Sequence, residues 1–163
     1  MARLDTINPL RTNSINLRDI LNALLVDVEN RVKDNQQTLI SEIPKTVPSI
    51  QGNTDDLYEA ILRIIDNAIR YTLPHGRINI SLKIAKSNLI LEIRDTGTGI
   101  ADEALPHVFE RFFREDQAHT TSGIGLGLSI AKAIIQQYQG DIRISSTVNV
   151  GTTVQVRLPF RLN

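Results

Sequence analysis

Apolar side chains recur along this chain with two different periods, and the changes of period mark its elements. In "NLRDILNALLVDVENRVKD", Ile20, Leu21, Leu24, Leu25 and Val28 follow the three-and-four spacing of one helix face, behind an Asn16 suited to cap it. This predicts a first helix. The short apolar run of "QTLISEIP", stopped by Pro44, predicts a strand. Residues 52–76 open on capping residues and carry Leu57, Ala60, Ile61, Ile64, Ile65 and Ala68 on one stripe, ending before Pro74 and Gly76. A second helix follows from that stripe. "RINISLKIA" and "NLILEIRD" alternate apolar with polar residues across a "KS" link, the pattern of an antiparallel pair with one buried face. The next stretch, "TGTGIADEALPHVFERFFREDQAHTTSG", keeps neither period and reads as a long loop with one helical turn. "GLGLSIAKAIIQQYQG" predicts a third helix stopped by Gly140, and "DIRISSTV" with "GTTVQVRLPF" a second antiparallel pair.

Helices interspersed with paired strands place the chain in the α+β class, as a two-layer α/β sandwich with three main helices on a mixed sheet of about five strands. The pattern does not say what covers the other face of the sheet. With 163 residues, 41% of them hydrophobic, there is material for one domain with a sizeable core. Residues 1–13 read as a junction ahead of a domain at 14–163. Eighteen basic side chains balance eighteen acidic ones without a block of like charge, so bulk electrostatics points to neither nucleic acid nor a membrane surface. The chain has no cysteine, which removes disulfides, thiolate zinc sites and cysteine nucleophiles and is compatible with a reducing compartment. No apolar run is long enough to span a bilayer, and the first residues lack a signal peptide's apolar region, so the expectation is a soluble fragment, with a membrane receptor still open as its parent.

The candidate chemistry lies where the periods break. In "TSGIGLGLSIAKAII", Gly123, Gly125 and Gly127 stand directly before the third helix. Glycines leave N–H groups unshielded and a helix start adds partial positive charge, which suits an anion; a tight turn would use the same letters. The run follows a loop and has no G-x-x-x-x-G-K-[ST] or post-strand G-x-G-x-x-G spacing, so the two common phosphate motifs are out. Three further groups stand out: "DNAIRYT" ending the second helix, "DTGTG" at the end of the "NLILEIRD" strand, and "VFERFFR" in the long loop. Asp95 closes an apolar strand and needs a polar partner, unless Asp-Thr-Gly is only a turn. Phe109, Phe112 and Phe113 are all but one of the phenylalanines, and burial of two would anchor an otherwise polar loop.

Taken in order with these spacings, the four groups resemble the asparagine, first glycine, phenylalanine and second glycine boxes of the sensor histidine kinases, within the wider family of gyrase, heat-shock chaperone ATPases and mismatch-repair ATPases. The resemblance runs over about residues 16–160. It implies an ATP-binding catalytic domain of the Bergerat type, with the nucleotide between the second helix and a lid at about 101–122. Asn67 would bind the Mg2+ that bridges the phosphates, a hard cation suited to an amide oxygen. Arg70 would contact phosphate, Tyr71 lie beside the adenine, and Asp95 accept a hydrogen bond from the adenine amino group. Gly97, Gly99 and Ile100 complete the first glycine box; Gly123, Gly125, Leu126, Gly127 and Leu128 form the second, as hinge and phosphate cradle. Arg114 would reach the γ-phosphate, which makes Arg114 and Arg70 the candidate catalytic side chains. ATP and Mg2+ are the implied cofactors. The implied partners are the dimerisation and phosphoacceptor domain of the same receptor and a response regulator, with no nucleic acid and no direct membrane contact. The parent is expected to be a homodimer with this part in the cytoplasm, and the isolated fragment a monomer. Residues 1–13 resemble the end of the preceding dimerisation hairpin.

The pattern departs from the family in two places. "RIIDN" puts Arg63 where the asparagine box usually has a first asparagine, one helical turn from Asn67 on the same face. A fixed positive charge there binds phosphate directly or competes with the metal, so retained ATP binding with altered magnesium dependence is expected. His75, His107 and His119 do not fit a phosphoacceptor motif, so the accepting histidine is expected in a separate domain. The competing reading is a non-catalytic adenine-nucleotide sensor module of a degenerate kinase.

Overall fold

Asn16 sits in extended backbone and accepts the Arg18 N–H at 2.9 Å, so the first helix starts where a side chain replaces a missing backbone acceptor. The computed structural model describes residues 13–110 and 127–161. Its elements run β1 (Asn13–Ile15), α1 (Leu17–Asp34), β2 (Thr38–Glu42), β3 (Ile50–Gly52), α2 (Thr54–Tyr71), β4 (Arg77–Ala85), β5 (Asn88–Asp95), α3 (Gly127–Gln137), β6 (Asp141–Thr147) and β7 (Gly151–Pro159), with one 3-10 turn at Leu105–His107. Asn53 caps α2, accepting from the Asp55 N–H at 2.8 Å and the Asp56 N–H at 3.3 Å. Two carboxylates in that first turn face the positive end of the helix dipole.

Five strands form a mixed sheet in the order β2-β4-β5-β7-β6. Only β2 with β4 is parallel; the other three pairs are antiparallel. Alternation decides the faces. Ile78, Ile80 and Leu82 of β4, Leu89, Leu91 and Ile93 of β5, and Val154, Val156 and Leu158 of β7 are all buried on one side. Against them pack Leu21, Leu24 and Val28 of α1, the Leu57–Ala60–Ile61–Ile64–Ile65–Ala68–Ile69 stripe of α2, and Leu128, Ala131 and Ile135 of α3. The opposite face carries Asn79, Ser81, Lys83, Glu92 and Arg94, which line a shallow groove with Glu42, Ile43 and Pro44. The face that the pattern left open is therefore polar, as a one-sided sheet requires.

β1 and β3 form a second, two-stranded sheet, with Asn13 opposite Gly52 and Ile15 opposite Ile50. Neither is visible as a periodic pattern, because three residues are too few to show one. The small sheet ties the start of α1 to the start of α2. There Tyr138, just past α3, accepts the Asn53 N–H at 2.8 Å and donates to the Asn53 carbonyl at 3.1 Å, and its ring fills the space a side chain at Gly52 would need. All three helices are thus fixed at one end. Asn53→Ala should lower stability by about 1 kcal/mol through loss of the cap. A urea midpoint equal to that of the unaltered chain would show the cap to be dispensable.

Candidate functional site

At the other end of the sheet, β5 is central and its inward phase is Leu89, Leu91, Ile93 and then Asp95. The alternation that buries three apolar residues therefore points a carboxylate to the helix side. Asp95 is 8% exposed. Its Oδ1 accepts the Gly97 N–H at 2.8 Å and the Thr152 N–H at 3.3 Å, while Oδ2 accepts no hydrogen bond among the described residues. Burial pushes this carboxyl above the usual aspartate range, and the two backbone amides pull it partly back. The result is an acceptor fixed through one oxygen with the other still available.

The loop after Asp95 is joined to both neighbours. The Thr98 N–H donates to the Tyr71 carbonyl at 3.1 Å, the Asn149 N–H to the Thr98 carbonyl at 2.8 Å, and the Ile100 N–H to the Ser146 Oγ at 2.7 Å. Ser146 in turn donates to the Gly151 carbonyl at 2.9 Å. Gly97 is required by crowding: a Cβ there would overlap the Tyr71 carbonyl and lie 2.9 Å from Asp95 Oδ1. Gly99 is left-handed, at φ 75°. The β6–β7 hairpin was not among the site residues read from sequence, yet Thr152 and Gly151 support Asp95 directly. At Gly151, φ is 145° and a Cβ would run into the Asp95 backbone. A glycine beginning a strand after "VNV" was the one available signal, and it reads equally well as an ordinary turn.

Asn67 is half-buried on α2, and Arg70 and Tyr71 are exposed, Tyr71 at 40%. Tyr71 is therefore an open ring at the helix end, not a core aromatic. Gly127 begins α3 beside Asn67: a Cβ on it would be 3.9 Å from Asn67 Oδ1 and would meet nothing closer among the described residues. The first amides of α3, which have no intrahelical partner, thus start next to that amide oxygen. Asn67 and Tyr71 are four residues apart, about 6 Å along the helix, so α2 connects this end to the Asp95 loop. Ile100 is partly buried against the core, and Leu128 is a core residue at 7% exposure. Arg114, Gly123, Gly125 and Leu126, with Phe112, Phe113 and His119, lie outside the described residues.

Phe109 packs partly on the core with Val108 buried beside it, and the Lys132 ammonium stands 4.9 Å from the Phe109 ring centroid. Of the three phenylalanines, two of which are expected to be buried, Phe109 is partly buried, and Phe112 and Phe113 lie outside the described residues. His107 Nδ1 lies 2.8 Å from Glu110 Oε2, and His75 is exposed in a turn at φ 72°. Arg63 is paired one turn back, with its Nε 2.6 Å from Glu59 Oε2. Elsewhere on α2, Arg31 reaches Asp66 at 2.6 Å and Tyr58 donates to Asp27. Among the described residues no three His, Asp or Glu side chains converge as a metal site. A cation here would rest on the Asn67 oxygen, water and the ligand's own oxygens, which fits Mg2+ better than a metal needing a full protein cage.

The raised Asp95 pKa fixes the sign of a stability effect. A carboxyl that holds its proton more tightly in the folded state loses stability as pH rises from the unfolded value, near 3.8, through its folded value. The penalty is present once the pH has passed the folded value and the carboxylate is ionised. Asp95→Asn should unfold at an equal or higher urea concentration than the unaltered chain at pH 7, with the difference shrinking towards pH 4. A clear loss of stability at pH 7 would mean that the ionised carboxylate is favourable in the fold.

Comparison with known proteins agrees with this geometry. A profile of the histidine kinase-, DNA gyrase B- and HSP90-like ATPases matches residues 52–162. The adaptive-response sensory kinase SasA of Synechococcus elongatus is 30% identical over 154 residues, 94% of this chain and 39% of that protein. The sensor histidine kinase RppB of Synechocystis sp. is 38% identical over 111 residues, 67% of this chain and 24% of the relative. The chain thus spans well under half the length of either. The solved structure of the mycobacterial sensor histidine kinase MprB superposes with a TM-score of 0.80 at 28% identity, over 93% of this chain and 100% of that one. With the matched profile running from just before α2 to the end of β7 and covering both Asp95 and Asn67, the chain belongs to the histidine kinase-, DNA gyrase B- and HSP90-like ATPase family.

Proposed function

We propose that this chain is the catalytic part of a two-component sensor histidine kinase, which binds ATP with Mg2+ and presents the γ-phosphoryl group to a histidine of a separate dimerisation domain. One observation carries the base-binding half of the reading: Asp95 is held through Oδ1 and keeps Oδ2 without a hydrogen bond among the described residues. Such an oxygen suits the exocyclic amino group of adenine. The carbonyl that guanine has at that position would meet it acceptor to acceptor, with a cost of a few kcal/mol. Tyr71, exposed at the end of α2, offers its ring to the base.

At the phosphate end, the Asn67 oxygen would hold the magnesium, while the α3 amides and the Arg70 guanidinium neutralise phosphate charge. Magnesium, when bound, supplies charge neutralisation between the phosphates. Arg114, assigned by resemblance, would stabilise the transferring group. In the transfer, a ring nitrogen of the acceptor histidine forms the N–P bond as the bond to the ADP oxygen breaks. The imidazole proton passes to a base outside this chain, and the residues here position and neutralise. None of His75, His107 and His119 stands in a phosphoacceptor motif, so this reading takes the acceptor from another domain. A response regulator would receive the phosphoryl group next. No helix among the described residues is long and apolar enough to cross a membrane, and the supply of ATP places the work in the cytoplasm.

Arg63 in place of the box's first asparagine gives a second reading, a nucleotide sensor that does not transfer phosphate. Incubating the chain with γ-labelled ATP and a hairpin domain bearing the acceptor histidine separates the two. Label on that histidine is the expected result; tight nucleotide binding with no label would favour the sensor. For binding itself, Asp95→Asn should weaken ADP by about tenfold or more in calorimetry, the worth of one hydrogen bond to a charged acceptor. An unchanged affinity would remove the base-reading role.

Arg63 also gives a metal prediction. A guanidinium one turn from Asn67 can substitute for part of the charge that magnesium brings. Chelating magnesium should therefore weaken ATP less in the unaltered chain than in Arg63→Asn. The same loss in both proteins would confine Arg63 to its pair with Glu59.

A further inference from the structure

A buried glutamine outside the pocket holds the helix end on which the pocket depends. Gln37 is 8% exposed and precedes β2. Its Nε2 donates to the Ile69 carbonyl at 2.8 Å and to the Thr72 carbonyl at 2.7 Å, which uses both amide protons. These carbonyls bracket Arg70 and Tyr71. The last carbonyls of a helix have no intrahelical donor and must find one elsewhere. Here Ala68 is served by Thr72, through its N–H at 3.1 Å and its hydroxyl at 2.7 Å; Ile69 and Thr72 are served by Gln37, and Tyr71 by the Thr98 N–H at 3.1 Å.

The surrounding backbone locks the glutamine in place. The Gln37 N–H donates to the Val32 carbonyl at 2.9 Å, the His75 N–H to the Gln36 carbonyl at 2.7 Å, and the Thr38 N–H to the Gly76 carbonyl at 3.0 Å. Gln36 and His75, the two partners in one of these bonds, are both left-handed, at φ 59° and 72°. Non-glycine residues adopt that conformation where neighbouring structure over-determines it. Gln37 Oε1 is buried without a partner, so the side chain is oriented by what it donates.

We propose that Gln37 is a positioning residue for the base end of the nucleotide site. By fixing the carbonyls on either side of Arg70 and Tyr71, it sets where the Tyr71 carbonyl stands and hence where Thr98 and the Gly97 turn against Asp95 are held. The proposal rests on the nucleotide-binding reading above, and its test keeps the two apart.

Gln37→Met keeps the bulk and removes both donors. Its ADP affinity should fall about tenfold, as expected for two buried carbonyls left unsatisfied at a joint the ligand needs. Amide hydrogen exchange supplies the readout that general weakening would not give: Thr98 should exchange about tenfold faster while Leu91 and Val156, in the middle of the sheet, keep their rates. ADP binding within twofold of the unaltered chain, or acceleration at Leu91 and Val156 equal to that at Thr98, would overturn the proposal. Failure of the unaltered chain to bind ADP would instead overturn the nucleotide reading. Should Gln37→Met not fold, the side-chain amide resonances of Gln37 in the unaltered chain serve. They should shift on addition of ADP and stay in place with pyrophosphate, and no shift with ADP overturns the role.

Discussion

An aspartate at the end of the central strand, buried on the helix side of the sheet, is an expensive thing for a fold to keep, and most of the local structure follows from keeping it. The carboxylate of Asp95 needs donors, and the two it has among the described residues are backbone amides, from Gly97 and Thr152. Bringing the first requires a sharp turn directly after the strand, against the Tyr71 carbonyl, where only glycine fits. Bringing the second requires β7 to begin beside the end of β5, with Gly151 in a conformation that lets two backbones nearly touch. An apolar residue at 95 would have satisfied the core without any of this. Retaining a half-satisfied carboxylate makes sense when its second oxygen is meant for something that arrives from outside.

Helix α2 converts that local arrangement into a site with two ends. Its apolar stripe is buried against the sheet and between its neighbours, so the helix cannot rotate without exposing Ile61, Ile64 and Ile65. Its flanks are then fixed in direction. Tyr58 and Asp66 meet Asp27 and Arg31 of α1, and Asn67 stands beside the start of α3. The C-terminal turn, with Arg70 and Tyr71, meets the Asp95 loop through one carbonyl. Base recognition and phosphate chemistry are thus registered to each other by a single rigid element. A small shift of its last turn would be felt at the base end first.

Much of this was legible in the sequence, for identifiable reasons. The stripes of α1 and α2 and the alternation of β4 and β5 are long enough to declare their period, and Asn16 and Asn53 mark where the helices begin. Even the orientation of Asp95 follows, since it continues the inward phase of Leu91 and Ile93. The short strands β1 and β3 were not legible, because they exist only through each other. Nor was the parallel pairing of β2 with β4: a strand's own pattern does not name its partner. Thr152, Gly151 and Gln37 escaped for a related reason, since each acts on a residue far along the chain through a hydrogen bond or a close approach that leaves no local periodicity. The Arg63–Glu59 pair lies on one helix at i,i+4 and was open to the same reasoning that connected Arg63 to Asn67.

The central claim is that the unused oxygen of Asp95 reads the amino group of the base, and comparing ADP with inosine diphosphate tests it most directly. The two differ at that position, an amino donor in one and a carbonyl in the other, and at the adjoining ring N1, an acceptor in one and an N–H donor in the other. Calorimetry on the unaltered chain should show ADP bound about tenfold or more tightly than inosine diphosphate, with the difference largely gone in Asp95→Ala. Equal affinity for the two nucleotides, or a preference that survives in Asp95→Ala, would contradict the account.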